Sequence, residues 1–327
     1  MSKNFTLYWS SMAKMEDCPQ GFLWGRGWGT IDVGGGPGRR KPVIKKRSEH
    51  HAVMGIAIQY VIERFYNDEL WKFLRGRQLQ KRLLELTEKE TNRLLAKKYI
   101  DWTESPPKDD LRQIIRDGVL GYLHTLKKHR LLGEYAQAEV DLVGYVDKWN
   151  PIGGRADMII RRPDTGVTIL DGKNSKRYKD KKTGGWMTFT DPDQLRWYAL
   201  CYYIIYKKLP DRLGFVYFRY PAGSPVIDPS GKDTGELEEG IDWVDCTMED
   251  VKGLAQRALD ARKQMNFEKF PANPSYQTCK FCDYETVCPE RQATKRKRGP
   301  RKQVDVLGGQ GGKGGIVSLG FGGPKKT

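Results

Sequence analysis

Near Tyr135 the hydrophobic period of the chain changes from helical to alternating. The stretches YAQAEVDLVGYV, GGRADMII with its two following arginines, and VTILDGK alternate as strands do, with a tight turn at Pro163 to Gly166 between the last two. A three-stranded meander is the expected result. Ahead of it, Met54, Ile58, Val61, Ile62 and Phe65 recur at helical spacing, as do Leu111, Ile115, Val119, Tyr122 and Leu126, so residues from about 51 to 132 read as mostly helical. Behind it, Asp191 and Pro192 supply an N-cap acid and a proline at the first helical position of a helix running to about Lys208. Strands at Leu213 to Tyr220 and Ile241 to Cys246 and a helix from Thr247 to about Phe267 complete a mixed α/β domain.

Charge gives the direction of function. The 327 residues carry 57 Lys and Arg against 41 Asp and Glu, a net charge of +16, which points to a polyanionic partner. With 38% hydrophobic residues there is material for a sizeable core. The longest apolar run in the middle of the chain, Ala199 to Tyr206, is far short of the roughly 20 residues that cross a bilayer, so no membrane span is expected. The first residues lack the pattern of a secretory signal, the cytoplasm is the expected compartment, and the six cysteines are then ligands or buried thiols. Residues 291 to 327 hold ten Lys and Arg, one acid and nine glycines between Gly308 and Gly323, so the folded unit is expected at 1–290 with a disordered basic arm behind it. In the arm, Lys295, Arg296, Lys297 and Arg298 are candidate phosphate contacts. Gly34 to Arg47, with six basic residues, reads as a loop of the same character.

Three groups of residues carry chemistry. Alternation puts Asp171 and Lys173 on one face of a strand, and the hairpin brings Asp157 beside them. Two carboxylates suit a hard divalent ion such as Mg²⁺, and the ammonium could orient or deprotonate an attacking water; the alternative is a surface ion pair at a hairpin edge. Gln194 and Tyr198 stand four apart on one helical face, although Asp191 and Gln194 also fit a capping box and Tyr198 a core position. Cys279, Cys282 and Cys288 form a C-x₂-C-x₅-C cluster, and Cys18 stands 261 residues earlier. Four thiolates suit a 4Fe-4S cluster, with zinc as the less favoured alternative because Cys18 has no near companion. Cys201 and Cys246 read as buried small hydrophobes. The basic run from Lys173 to Lys182, with Lys176, Arg177 and Lys179, offers phosphate contacts, and Tyr178, Trp186 and Trp197 offer stacking surfaces, unless the run is simply a solvated loop.

GGRADMII followed by VTILDGKNS resembles the G-x-x-D and D-x-K motifs of PD-(D/E)xK nucleases, in particular the RecB-like branch, and Gln194 with Tyr198 matches its Q-x-x-x-Y motif. The cysteine arrangement is similar to that of the iron-sulfur nucleases of the AddB and CRISPR-associated RecB-like exonuclease type. The resemblance implies a restriction-endonuclease-like α/β fold, a mixed sheet flanked by helices, with a helical insertion at about 64–133. It implies Mg²⁺ or Mn²⁺ held by Asp157, Asp171 and the carbonyl of Gly172, with Lys173 acting on water and Gln194 and Tyr198 steering the strand. It also implies an exonuclease acting on single-stranded or linear DNA in recombination, repair or end processing. One departure stands out: Gln59, in GIAIQYVIERFYND, occupies the place of the family's metal-ligating histidine, with Glu63 and His51 nearby as possible substitutes. A catalytically weakened nucleic-acid-binding module and an RNA-directed nuclease are the alternatives. No G-x-x-x-x-G-K-[ST] motif is present, so any helicase or recombination protein is a separate chain.

Overall fold

A computed structural model describes residues 5–26, 48–96, 100–101, 108–133, 135–174, 178–179, 186–187, 190–227, 232–266, 270–275, 278–279, 282, 284 and 288–297. The loop at Gly34 to Arg47, Lys176, Arg177 and the arm from Arg298 onward lie outside the described residues. The chain opens with β1 (Leu7–Tyr8), α1 (Trp9–Asp17) and α2 (Pro19–Gly25), then β2 (Ser48–Glu49), α3 (His50–Asn67), α4 (Leu70–Phe73), α5 (Gly76–Leu95), β3 (Ile100–Asp101) and α6 (Lys108–Lys128). The meander follows as β4 (Ala136–Tyr145), β5 (Pro151–Arg162) and β6 (Gly166–Lys173), and then β7 (Tyr178–Lys179), β8 (Trp186–Met187) and α7 (Pro192–Tyr206). After them come β9 (Arg212–Tyr217), β10 (Pro225–Ile227), β11 (Asp233–Leu237), β12 (Ile241–Val244), α8 (Met248–Asn266) and α9 (Pro289–Lys297).

The expected helices and the meander are present. Strands β1, β10 and β11 were not expected, being short and carrying little alternation. β5 is the hub of a six-stranded sheet: β4 and β6 pair with it antiparallel, and β1 pairs in parallel at Ile152 and Gly153. β6 then pairs in parallel with β9, and β9 antiparallel with β12. Parallel neighbours need a crossover, and α7 supplies it between β6 and β9.

Each face of the sheet is covered by helices. On one, Met54, Ile58 and Phe65 of α3 and Leu111 and Tyr122 of α6 pack on Leu170 and Val216. On the other, Leu195, Trp197 and Tyr198 of α7 and Leu254 of α8 pack on Ile169, Phe215 and Tyr217. The paired glycines of GGRAD admit this second layer. A Cβ on Gly154 would stand 2.7 Å from the Tyr198 ring, and one on Gly153 would stand 2.9 Å from Thr6 ahead of β1. Two strands change face part-way: Ala138 and Met158 belong to the α3 side, whereas Leu142 and Ala156 belong to the α7 side. The change falls at Glu139 and Asp157. Glu139 has φ 53°, a left-handed backbone that costs a non-glycine residue roughly 1–2 kcal/mol.

The segment ahead of β1 and the segment around Tyr284 are both anchored to this core. The Arg262 guanidinium of α8 donates to the carbonyls of Phe5 and Pro151, tying the segment before β1 to the start of β5. Trp24 of α2 packs edge-on against Tyr284, ring centroids 5.4 Å apart, beside Cys288. Glu290, where the sequence places the boundary, lies in α9, and Arg291, next in that helix, is only 7% exposed. Among the described residues no helix is long and apolar enough to cross a membrane.

Candidate active site

Register brings the acids together. Met158 pairs with Leu170, so the next residues, Asp157 and Asp171, face each other; Ala138 pairs with Met158 and Val140 with Ala156, so Glu139 lies opposite Asp157. Glu139, Asp157 and Asp171 therefore form one row across β4, β5 and β6. The Gly172 N–H donates to Asp157 Oδ2 at 2.8 Å. Asp171 is 2% exposed, and its Oδ2 lies 2.5 Å from Lys173 Nζ, which also donates to Gln194 Oε1 at 2.8 Å. Gln194 Nε2 in turn donates to Asp171 Oδ1 at 2.9 Å and to the Tyr198 hydroxyl at 3.1 Å.

The capping-box alternative for Gln194 is thus set aside. Asp191 caps α7 through the Asp193 N–H, while the Gln194 side chain turns into the site. Tyr198 is 7% exposed and its hydroxyl contacts Asp171, so the pair braces the acid and the lysine from behind.

Burial and mutual repulsion act on the two aspartates of this row. Burial raises the pKa of Asp157 well above the ordinary carboxylate range, and the neighbouring Asp171 raises it further. Burial raises Asp171 too, opposed by the charge and hydrogen bond of Lys173. A cation among these oxygens would relieve both effects. Asp157 opens onto a cleft of about 450 Å³ lined also by Gln59, Glu63, Glu139, Gly172 and Asn174. Gln59 reaches it from α3, its Nε2 donating to Glu139 Oε1 at 2.9 Å, and Glu63, one turn on, lines the same cleft. The side chain of His51 lies outside the described residues.

A family profile described as the PD-(D/E)XK nuclease superfamily matches residues 9–289. This chain belongs to the PD-(D/E)XK nuclease superfamily. The mixed sheet flanked by helices is accordingly its restriction-endonuclease-like core, and the activity class is metal-dependent nucleic-acid cleavage. No match was found among curated proteins. Among solved structures, that of SSO0001 aligns over 74% of this chain and 85% of its own at 16% identity, with a TM-score of 0.32, a likeness too slight to argue from.

PD-(D/E)XK nucleases generally use Mg²⁺ or Mn²⁺, and the residues here fit such an ion. The row offers hard oxygen donors, two of them carboxylates raised by burial, with the Gly172 backbone against Asp157. Among the described residues no three His, Cys, Asp or Glu side chains are grouped to hold a metal, so the carboxylate pair, backbone and solvent would share the coordination. Gly172 is needed for a steric reason. A Cβ there would stand 2.5 Å from Phe218 Cζ and 3.2 Å from Gln59 Oε1. Gly172→Ala is expected to cost about 1–3 kcal/mol of stability by overpacking and to impair cleavage by displacing Gln59; thermal melts and initial rates check this.

The nuclease's remaining sequence candidates are placed as follows. Trp197, expected as a stacking surface, is fully buried and its Nε1 donates to the Gly153 carbonyl at 2.9 Å, so it cannot meet a base. Tyr178, Lys179 and Trp186 lie on the short β7–β8 hairpin, and their side chains are outside the described residues. Cys201 is buried as expected, whereas Cys246 is half-buried just past β12. The other four cysteines gather where the chain ends meet. Cys18 Sγ and Cys282 Sγ lie 3.6 and 4.0 Å from the space that a methyl group on Gly21 would fill. Each accepts a backbone N–H at 3.4 Å, from Gly21 and Tyr284 respectively. Burial raises the Cys282 thiol, and Cys18 and Cys279 add to the effect. The thiols share one neighbourhood without forming a metal-holding group at their present spacing. Sequence reading missed Glu139 altogether, because an acid in a half-exposed strand looks like any outward-facing polar residue.

Proposed function

We propose that this protein is a Mg²⁺- or Mn²⁺-dependent deoxyribonuclease acting as an exonuclease on single-stranded or linear DNA, in recombination, repair or end processing. The observation that carries the reading is the facing pair Asp157 and Asp171 with Lys173 held 2.5 Å from Asp171. In this reading Asp157, Asp171 and the Gly172 carbonyl hold the ion. A divalent ion bound there supplies Lewis-acid polarisation of the scissile phosphate and eases deprotonation of water. Lys173 orients the attacking water and neutralises charge developing on the phosphorus oxygens. Gln194 keeps Lys173 and Asp171 in register by accepting from one and donating to the other, and Tyr198 closes the site from the core side.

We further propose that Cys18, Cys279, Cys282 and Cys288 hold a 4Fe-4S cluster joining the two chain ends, supported by their shared neighbourhood and the N–H groups aimed at two of the sulfurs. The test of the catalytic reading is digestion of end-labelled single- and double-stranded DNA, linear and circular, with and without Mg²⁺ or Mn²⁺. Linear strands should shorten from their ends only with metal. Intact products throughout, or cutting of circles and RNA alone, would overturn it.

The basic arm should add affinity without choosing a sequence. Because α9 runs to Lys297, a cut after that residue keeps the helix and removes the remaining basic residues of the arm. Each phosphate contact on a single strand contributes roughly 0.7 to the slope of log K against log salt, so losing three or four should flatten the slope by about 2–3 units. Turnover at saturating substrate should be unchanged. Binding titrations across salt concentrations measure the slope, and an unaltered slope would leave the arm without a role in binding.

A further inference from the structure

Two features of the cleft lie apart from the aspartate pair and Lys173. Glu139, in the middle of β4, adopts a left-handed backbone, and its carboxylate accepts from the Gln59 amide nitrogen at 2.9 Å. A carboxylate can only accept, so the NH₂ end of Gln59 must face it and the carbonyl end is turned the other way. That end lies over Gly172, 3.2 Å from where a Cβ would be, at the corner where the Gly172 N–H binds the Asp157 carboxylate. With the amide reversed, an NH₂ group would face the same corner and repel a cation.

We infer that Glu139 is a positioning residue: it holds the Gln59 amide so that Gln59 Oε1 serves as an oxygen ligand beside Asp157. The inference rests on the proposed metal site. The left-handed turn at Glu139 falls where β4 changes face, opposite Asp157, and so aims an acid at α3 that regular alternation would not. Arg155 Nε, 3.9 Å from Glu139 Oε2, flanks the carboxylate from the solvent side.

Direct Mn²⁺ binding to the full-length protein, followed by the electron paramagnetic signal of free Mn²⁺, separates the possibilities without any cleavage assay. Glu139→Ala should weaken Mn²⁺ binding about tenfold, the scale of losing a residue that orients a ligand. Glu139→Gln should stay within about twofold of the unmodified protein, because its carbonyl can still accept from Gln59 Nε2. Gln59→Ala should match Glu139→Ala, and the double variant should be no worse than either, since both act through one contact. If Glu139→Gln is as weak as Glu139→Ala, the charge itself binds the ion and the positioning role is overturned. Normal binding by Glu139→Ala beside weak binding by Asp157→Asn would also overturn the positioning role, because Glu139 would then matter to the ion in neither way. Normal Mn²⁺ binding by Asp157→Asn would instead overturn the metal site on which the inference stands.

Discussion

A protein carrying Lys173→Ala is expected to bind DNA normally and to cut it about 10²–10³-fold more slowly or not at all, since it loses the ammonium paired with Asp171 that, in the proposed mechanism, neutralises charge on the phosphate. Gln194 then loses the partner of its carbonyl but keeps Asp171 and Tyr198, so the fold should hold. Asp157→Asn should be equally inactive and yet melt higher when metal is absent. Its raised pKa means that the folded protein takes up a proton more readily than the unfolded chain does. Such a carboxylate favours the fold at low pH, and that contribution is lost as the pH rises through the folded-state pKa. At neutral and higher pH, removing the charge relieves the row, with Tm rising by roughly 2–4 °C per kcal/mol gained. Single-turnover cleavage and metal-free melting curves across pH read both effects; rapid cutting by Lys173→Ala would mean that the chemistry sits elsewhere.

The second large effect concerns the cysteines. Protein purified without oxygen should be brown and carry about four irons per chain, and Cys18→Ser should lose the iron as completely as Cys282→Ser. Because Cys18 opens α2, whose Trp24 packs on Tyr284 and Cys288, its loss should also free the last segment of the chain and lower solubility. Cys201→Ser, buried within α7, should keep its iron. Iron and zinc analysis with visible absorption decides the matter, and colourless protein holding one zinc per chain would replace the cluster with a zinc site.

Legibility in the sequence followed the range of the interactions. The meander and its acids were readable because hairpin register depends on neighbouring residues, and Asp157 does face Asp171 as alternation requires. The cap at Asp191 was readable for the same reason. Gln194 was ambiguous because a capping glutamine and an inward-facing one share the same spacing. Trp197 was misplaced because periodicity assigns residues to faces without saying which face another layer will cover. Strand β1 was invisible: two residues carry no period, and their partner lies about 145 positions away. Glu139 was missed because its backbone conformation, rather than its residue type, makes it unusual.

The parallel pairing of Leu7 and Tyr8 with β5 has a consequence for how the chain is made. Synthesis delivers these residues about 145 positions before their hydrogen-bonding partners in β5, with α6 and β4 made in between, and Tyr284, against which α2 packs, comes later still. At about 5–20 residues per second, the leading segment waits on the order of ten seconds or more with its apolar side chains uncovered. Long-range pairings of this kind slow folding, so β1 and α2 should dock late, on a core that is already assembled. Until then β1 and α2 stay open to chaperones and proteases during synthesis.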